Sequence, residues 1–176
     1  MNLYDSGLVT VAGTTKLWDT GTVYLDGGKL TTGSFDNSEG GNFNFHDGTL
    51  TVNGTDGVFN PGAGNFSING AATSDAPHLV IANKVTATVG GELRVGQSGI
   101  GTLNVNAGGV VSNTTGVIGW QSGSTGEATV TGAGSLWNNT YSLSVGLYGT
   151  GILNVNAGGV VSNAYSFIGK VSGSTG

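Results

Sequence analysis

Across residues 101–113, GTLNVNAGGVVSN, apolar and polar side chains alternate. Leu103 and Val105 take one side, Asn104 and Asn106 the other, and Val111 and Ile118 mark two further short apolar stretches. Alternation with period two over three to five residues, broken by Gly-Gly and Gly-Ser, predicts short strands joined by turns. No stretch of the chain carries a helical periodicity. The pattern then repeats as text: LNVNAGGVVSN returns at 153–163, and 99–126 aligns without a gap on 149–176, with roughly 20 of 28 positions identical. Further back, GGELRVGQSGIG (90–101) matches YSLSVGLYGTG (141–151), with Leu93, Val95 and Gly96 falling on Leu143, Val145 and Gly146.

A weaker period of about 25 lies inside the longer one. GEATVTGAGSLWNN (126–139) overlays GTLNVNAGGVVSN, setting Val105 against Val130, Gly109 against Gly134, Val111 against Leu136 and Asn113 against Asn138. Beyond that point the register slips by about two residues and recovers at the next glycine pair. A unit of this size with three short strands is one turn of a parallel β-helix. The expected fold is therefore all-β: a single-stranded right-handed parallel β-helix of about 20–25 residues per turn. Equivalent residues then stack at about 4.8 Å, Leu103 over Ala128 over Leu153 and Val105 over Val130 over Val155. One turn buries about four aliphatic side chains, about 6–12 kcal/mol, whereas ordering its backbone costs about 25–50 kcal/mol. A lone turn cannot fold, which is why the phrase must recur. Asn113, Asn138 and Asn163 recur once per turn just after a strand. An asparagine ladder is expected there, at a bend whose left-handed backbone asparagine tolerates, the alternative being three solvated loop asparagines.

The early chain is less regular. GTVYLDGGKLTTG (21–33) loosely resembles FNFHDGTLTVNG (43–54), and Asp26-Gly27 and Asp47-Gly48 supply turn chemistry. Residues 1–77 read as degenerate N-terminal turns and 78–176 as regular repeats, with NGAATSDAPH (69–78) as the candidate seam. A separate cap or small β-sandwich over 1–77 is the alternative.

Composition narrows the function. The 176 residues include 35 glycines, 37% apolar and 9% charged residues, and a formal charge of −5 with five basic residues in all. Low charge argues against ordinary disorder. Two prolines and no strict triplet period exclude collagen. With no cluster of Lys or Arg, nucleic acid and acidic membrane surfaces are not expected partners. There is no cysteine, hence no disulfide or thiolate metal site. The longest apolar runs, such as HLVIA (78–82), are too short to cross a membrane as a helix. No signal peptide is visible at MNLYDSGLVTV.

The segment 78–176 resembles the glycine-rich repeats of bacterial autotransporter passengers and of surface proteins with a PEP-CTERM sorting signal. GTLNVNAGGVVSN, VIGWQSGSTG, ATVTGAGSLWNN and LSVGLYGTG carry the likeness. TGTVYLDGGKLTTGSFDNS is similar to the region that often precedes such repeats. The resemblance implies a right-handed β-helix, export, and an extracellular or bacterial cell-surface role. The chain shows neither a membrane barrel nor a sorting signal, and it stops at GSTG, a repeat boundary. It is therefore expected to be a piece of something longer.

Pectin-processing enzymes share this architecture, so catalysis has to be weighed. Glycoside hydrolysis wants two carboxylates across one groove. From residue 99 onward the charged residues are Glu127 and Lys170, so no pair forms there. Asp26, Asp36, Glu39, Asp47, Asp56 and Asp75 could cluster, but each also suits a turn. His46-Asp47 in NFNFHDGTL reads as an exposed histidine before an Asp-Gly turn. The glycine and aspartate spacing of calcium-binding nonapeptides is absent. The N-x-[ST] sites at Asn53, Asn65, Asn113 and Asn138 are what this composition gives by chance. No catalytic residue, cofactor or metal ligand is expected, and the chain is read as a non-enzyme. The aromatic residues that vary between matching repeats are the candidate ligand contacts: Trp120, where the next repeat has Lys170, Trp137, aligned with Ser112 and Ser162, and Tyr148. Tyr141 and Tyr165 also sit at non-repeating places. Exposed rings can stack on sugars. The competing reading has them covering turns. Three functions follow: a surface stalk, scaffold or adhesin; a carbohydrate-binding or carbohydrate-processing β-helix, its partners surface glycans or a host or neighbouring cell surface; and a filament subunit that self-associates end to end.

Overall fold

The computed structural model describes residues 1–70 and 76–176. All of its regular structure is β, in parallel strands wound as a solenoid of about 7 turns. The first turn holds β1 (Asn2–Tyr4) and β2 (Leu8–Lys16), the second β3 (Thr22–Asp26) and β4 (Lys29–Asp36). The third holds β5 (Asn42–Phe45), β6 (Thr49–Val52) and β7 (Val58–Asn60), the fourth β8 (Phe66–Ile68), β9 (His78–Ile81) and β10 (Thr86–Thr88). β11 (Glu92–Val95), β12 (Ile100–Asn106) and the first half of β13 (Val110–Ile118) form the fifth. β13 then rounds a corner into the sixth, followed by β14 (Thr125–Thr131) and β15 (Leu136–Val145). β16 (Thr150–Asn156) and β17 (Val160–Ile168) complete the seventh.

Stacking the turns makes three strips. The first runs β1-β3-β5, then β8-β11 and the later halves of β13, β15 and β17. Between β5 and β8 the rings of Phe43 and Phe66 bridge the gap, centroids 6.3 Å apart and nearly parallel. The second strip runs from the first half of β2 through β4, β6, β9, β12 and β14 to β16. The third begins with the second half of β2 and continues through β4, β7 and β10 into the first halves of β13, β15 and β17. Alternation along each strand sends every second side chain inward. One core results, continuous from Leu3 to Val145. In the second to fourth turns it is built from Phe35, Phe43, Phe45, Phe59 and Phe66, whose rings contact one another at 4.6–6.3 Å.

The stacks expected from the repeat are present: Leu103, Ala128 and Leu153 pair in sequence, as do Val105, Val130 and Val155. The step per turn is less even than 20–25 residues. Thr22 pairs with Asn42, but Thr49 pairs with His78, so the step ranges from 20 to 29 residues. The longest step contains residues 69–77. Residues 71–75 of the candidate seam, Asp75 among them, lie outside the described residues.

The expected pairings of Gly109, Val111, Ser112 and Asn113 with the sixth turn are all corrected by one residue. Val110, not Val111, lies beside Leu136, and Val111 lies beside Trp137. The reason is one residue. Asn106 pairs with Thr131, yet three residues lead on to Val110 and four to Leu136. A slip of one exchanges the inner and outer faces of a strand. Trp137 therefore points inward and is fully buried, whereas the repeat alignment placed it at the outward position of Ser112 and Ser162. Asn138 likewise leaves the ladder: it pairs with Ser112 and Ser162, and Asn139 takes its place between Asn113 and Asn163. Asn113, Asn139 and Asn163 thus stack in register, but only the first pair is joined: Asn113 Nδ2 donates to Asn139 Oδ1 at 2.7 Å, while Asn163 Nδ2 turns to Ser166 Oγ. None of these asparagines has a left-handed backbone. The corner is turned by a register shift after Asn113 and after Asn139 instead. In the neighbouring glycine turns Ala107 and Ala157 take the left-handed backbone, with φ of 49°. The two-residue slip and recovery further on match the sequence reading: Ile118 pairs with Val145, and Thr125 with Thr150.

Candidate functional site

The three candidate contacts separate. Trp137 is in the core, its indole Nε1 donating to Asn113 Oδ1 at 2.7 Å. That bond satisfies the one polar atom of a buried indole and removes the residue from any surface site. Trp120 and Tyr148 do come together. Both follow first-strip strands at the same corner, and Tyr148 N donates to Trp120 O at 3.1 Å. Tyr148 is half exposed. Trp120 is half-buried, with the Arg94 guanidinium over its ring at 3.6 Å. Glu92 holds that guanidinium through Nε at 2.9 Å and through Nη2. A cation on an aromatic face contributes about 0.5–2 kcal/mol. It also covers a face a sugar would need, so a ligand stacking there must first displace Arg94. Two turns on from Trp120, Lys170 Nζ lies 4.2 Å from the Phe167 ring. Tyr141 and Tyr165 are exposed and meet edge to face at 5.4 Å. They form a ridge at the corner of the third and first strips.

The early acidic residues are mostly dispersed. His46 is exposed, as its alternation implied. Asp47 Oδ1 accepts from Ala76 N at 3.1 Å, a turn-stabilising contact. Among the described residues no three His, Asp or Glu side chains gather as a metal site would need. Asp36 and Glu39 do approach one another. Both reach Lys16, whose Nζ is 3.3 Å from Asp36 Oδ2 and 3.3 Å from Glu39 Oε1 and 4.6 Å from the Trp18 ring. The Ser38 N–H on Asp36 Oδ1, then the Ser38 hydroxyl and Lys16, hold the Asp36 carboxyl below the usual carboxylate range. It is a fixed anion with satisfied partners, unlike a general acid, whose pKa must be raised.

Beside this cluster the third strip is hollowed. Two shallow depressions, of 440 and 420 Å³, share Ser38, Val58 and Asn60 and so form one groove. Thr14, Ser34 and Asp36 line one end, Gly62, Ala63, Thr88 and Gly90 the other. The lining residues come from the first four turns, so the groove crosses the strands and runs along the solenoid axis. Small residues at Gly62, Ala63 and Gly90 keep the wall low. Sequence reading missed this place because its residues are scattered from 14 to 90 without a repeat. The available signal was Val58, an apolar residue on the polar side of GVFNPG. Among family models, characterised proteins and solved structures, none matches the chain.

Proposed function

We propose that the chain is a non-catalytic rigid spacer: a stalk or scaffold segment of an extracellular or bacterial cell-surface protein. Continuity is the observation that carries this reading. One core threads all the turns, and each turn is hydrogen-bonded to the next along its strands. Such a solenoid adds length at about 4.8 Å per turn, so about 7 turns give about 34 Å of stiff rod. A spacer also needs inert flanks. Beyond the fourth turn the outward column Ser112, Asn138 and Ser162 is short, polar and uncharged. The extracellular placement rests on the resemblance of the repeats to autotransporter passengers and PEP-CTERM surface proteins.

The test is modular shortening. Excising residues 101–150 joins Ile100 to Gly151 in an equivalent setting, because Gly101, Gly126 and Gly151 stack. The shortened chain should stay folded and lose two turns, about 10 Å, in small-angle scattering. Loss of cooperative unfolding would sink the spacer reading. Turnover in a polysaccharide depolymerisation assay would overturn its non-catalytic part. Failure of external protease to reach an epitope-tagged chain on intact cells would overturn its location.

A further inference from the structure

We infer that the groove on the third strip binds a neutral, extended glycan chain laid along the solenoid axis. This goes beyond the spacer reading and does not depend on it. The groove is long, narrow and open at the ends, spanning four turns or about 14 Å from Thr14 to Thr88. That shape suits a polymer better than a compact metabolite. Its floor is the Val58 side chain, 48% exposed on the outer face, an apolar spot of the kind that packs against a sugar ring.

Around that floor the polar groups are spaced turn by turn: Thr14 in the first, Ser34 and Ser38 in the second, Asn60 in the third and Thr88 in the fourth. Among the described residues the hydroxyls of Thr14 and Thr88 and the Asn60 Nδ2 have no partner. Ser34 Oγ accepts from Val58 N at 3.0 Å, and Asn60 Oδ1 from Gly62 N at 3.0 Å, so both side chains are oriented before any ligand arrives. A glycan presents hydroxyls at regular intervals and can meet such a row. Trp18, 61% exposed, lies outside the lining itself, its ring 4.6 Å from the Nζ of the Lys16 that binds Asp36 at the groove's end.

Charge sets the ligand class. Among the described residues at this end of the groove the cation is Lys16, and it already faces two carboxylates, Asp36 and Glu39, leaving a surplus negative charge. Uronic-acid polymers and other polyanions are repelled. Neutral hexose or N-acetylhexosamine chains are not.

The experiment is a 15N NMR titration of the full chain with four neutral probes, cellohexaose, mannohexaose, maltohexaose and chitohexaose, and one anionic probe, hexagalacturonate. At least one neutral probe should give saturable shifts centred on the amides of Ser38, Val58, Asn60 and Thr88. Hexagalacturonate should give none. Val58→Arg puts a long charged side chain on the groove floor and should weaken that binding at least about tenfold. Trp18→Ala should weaken it several-fold. Both side chains are exposed, so an unchanged melting temperature is expected for each variant. Silence with all four neutral probes overturns the inference. So do shifts centred on Trp120 and Tyr148, binding that Val58→Arg leaves intact, or preference for the anionic chain.

Discussion

The fifth and seventh turns fill their interior alike, and the sixth, between them, does not. Three inner columns hardly change along the axis: Val95, Ile118 and Val145; Val105, Val130 and Val155; Asn113, Asn139 and Asn163. The other three change together. The fifth turn has Leu93, Leu103 and Val111, and the seventh has Leu143, Leu153 and Val161. The sixth has Gly116, Ala128 and Trp137 in those places. One indole takes the space given up by two smaller residues. A methyl on Gly116 would lie 2.9 Å from Trp137 Cζ2 and 2.8 Å from Leu143 Cδ1, and closer still to Asn139 Oδ1. Interiors are packed to near-crystalline density, so cross-section volume has to be held even where individual positions are free. A turn is thus selected as a set of residues, and a column-by-column comparison misreads it.

The largest expected effect comes from emptying that set. Trp137→Ala should cost about 3–5 kcal/mol in urea denaturation, far more than Val111→Ala or Val161→Ala in the flanking turns. Equal costs would mean the sixth turn is not special. Next, Gly116→Ala should destabilise by about 1–3 kcal/mol through overpacking. In a Trp137→Leu background the same change should cost at least about 1 kcal/mol less, a coupling that a double-mutant cycle measures. Asn113→Ala should also cost about 1–3 kcal/mol, because it leaves the buried Trp137 Nε1 and one side of Asn139 unpaired. Asn138→Ala, outside the ladder, should cost well under about 1 kcal/mol. A smaller effect is expected from rebuilding the four-residue turn. A side chain at Gly109 would meet Ile81 O at 2.5 Å, so Ser135 needs the extra residue that Gly109 does not. Deleting Ala133 together with Ser135→Gly should keep the fold within about 1 kcal/mol, whereas deleting Ala133 alone should not. The smallest concerns pH. Desolvation lowers the His78 pKa despite Glu127, with Lys29 adding to the lowering. The unfolded chain then binds the proton more readily, so stability is full above about pH 6.5 and declines as pH falls toward the lower folded value. His78→Gln should flatten that decline in melts taken between neutral and mildly acid pH.

Much of this was legible in the chain and some was not, for reasons the register makes plain. Period-two alternation and the recurrence of LNVNAGGVVSN suffice for a parallel β-solenoid, because stacking like on like is the one way to bury so few apolar residues per turn. The alignment then failed at a turn, where one added residue leaves no trace in composition yet inverts every side chain that follows. Trp137 and Asn138 changed places with the core and the ladder for that reason alone. The signal that could have found it was the indole itself: a large apolar residue opposite Ala128 and Gly116 fits inside better than outside. Trp120 was rightly singled out as non-repeating, but its cation partner Arg94 lies one turn earlier and is invisible without the fold. The groove was less legible still. It needs side chains from four turns, and nothing in local sequence announces that they meet.

A ladder of near-identical windings runs a particular danger while it forms: any strand can zip against the wrong copy and still satisfy its backbone. Trp137 acts against that error. Its indole fits only where a glycine and an alanine leave room and where Asn113 offers an acceptor, and the 50-residue spacing provides that socket once among the regular turns. A chain that skips or doubles a winding meets either a hole or a collision at this level. The odd residue in the middle of the array therefore serves as an index mark for which winding belongs beside which.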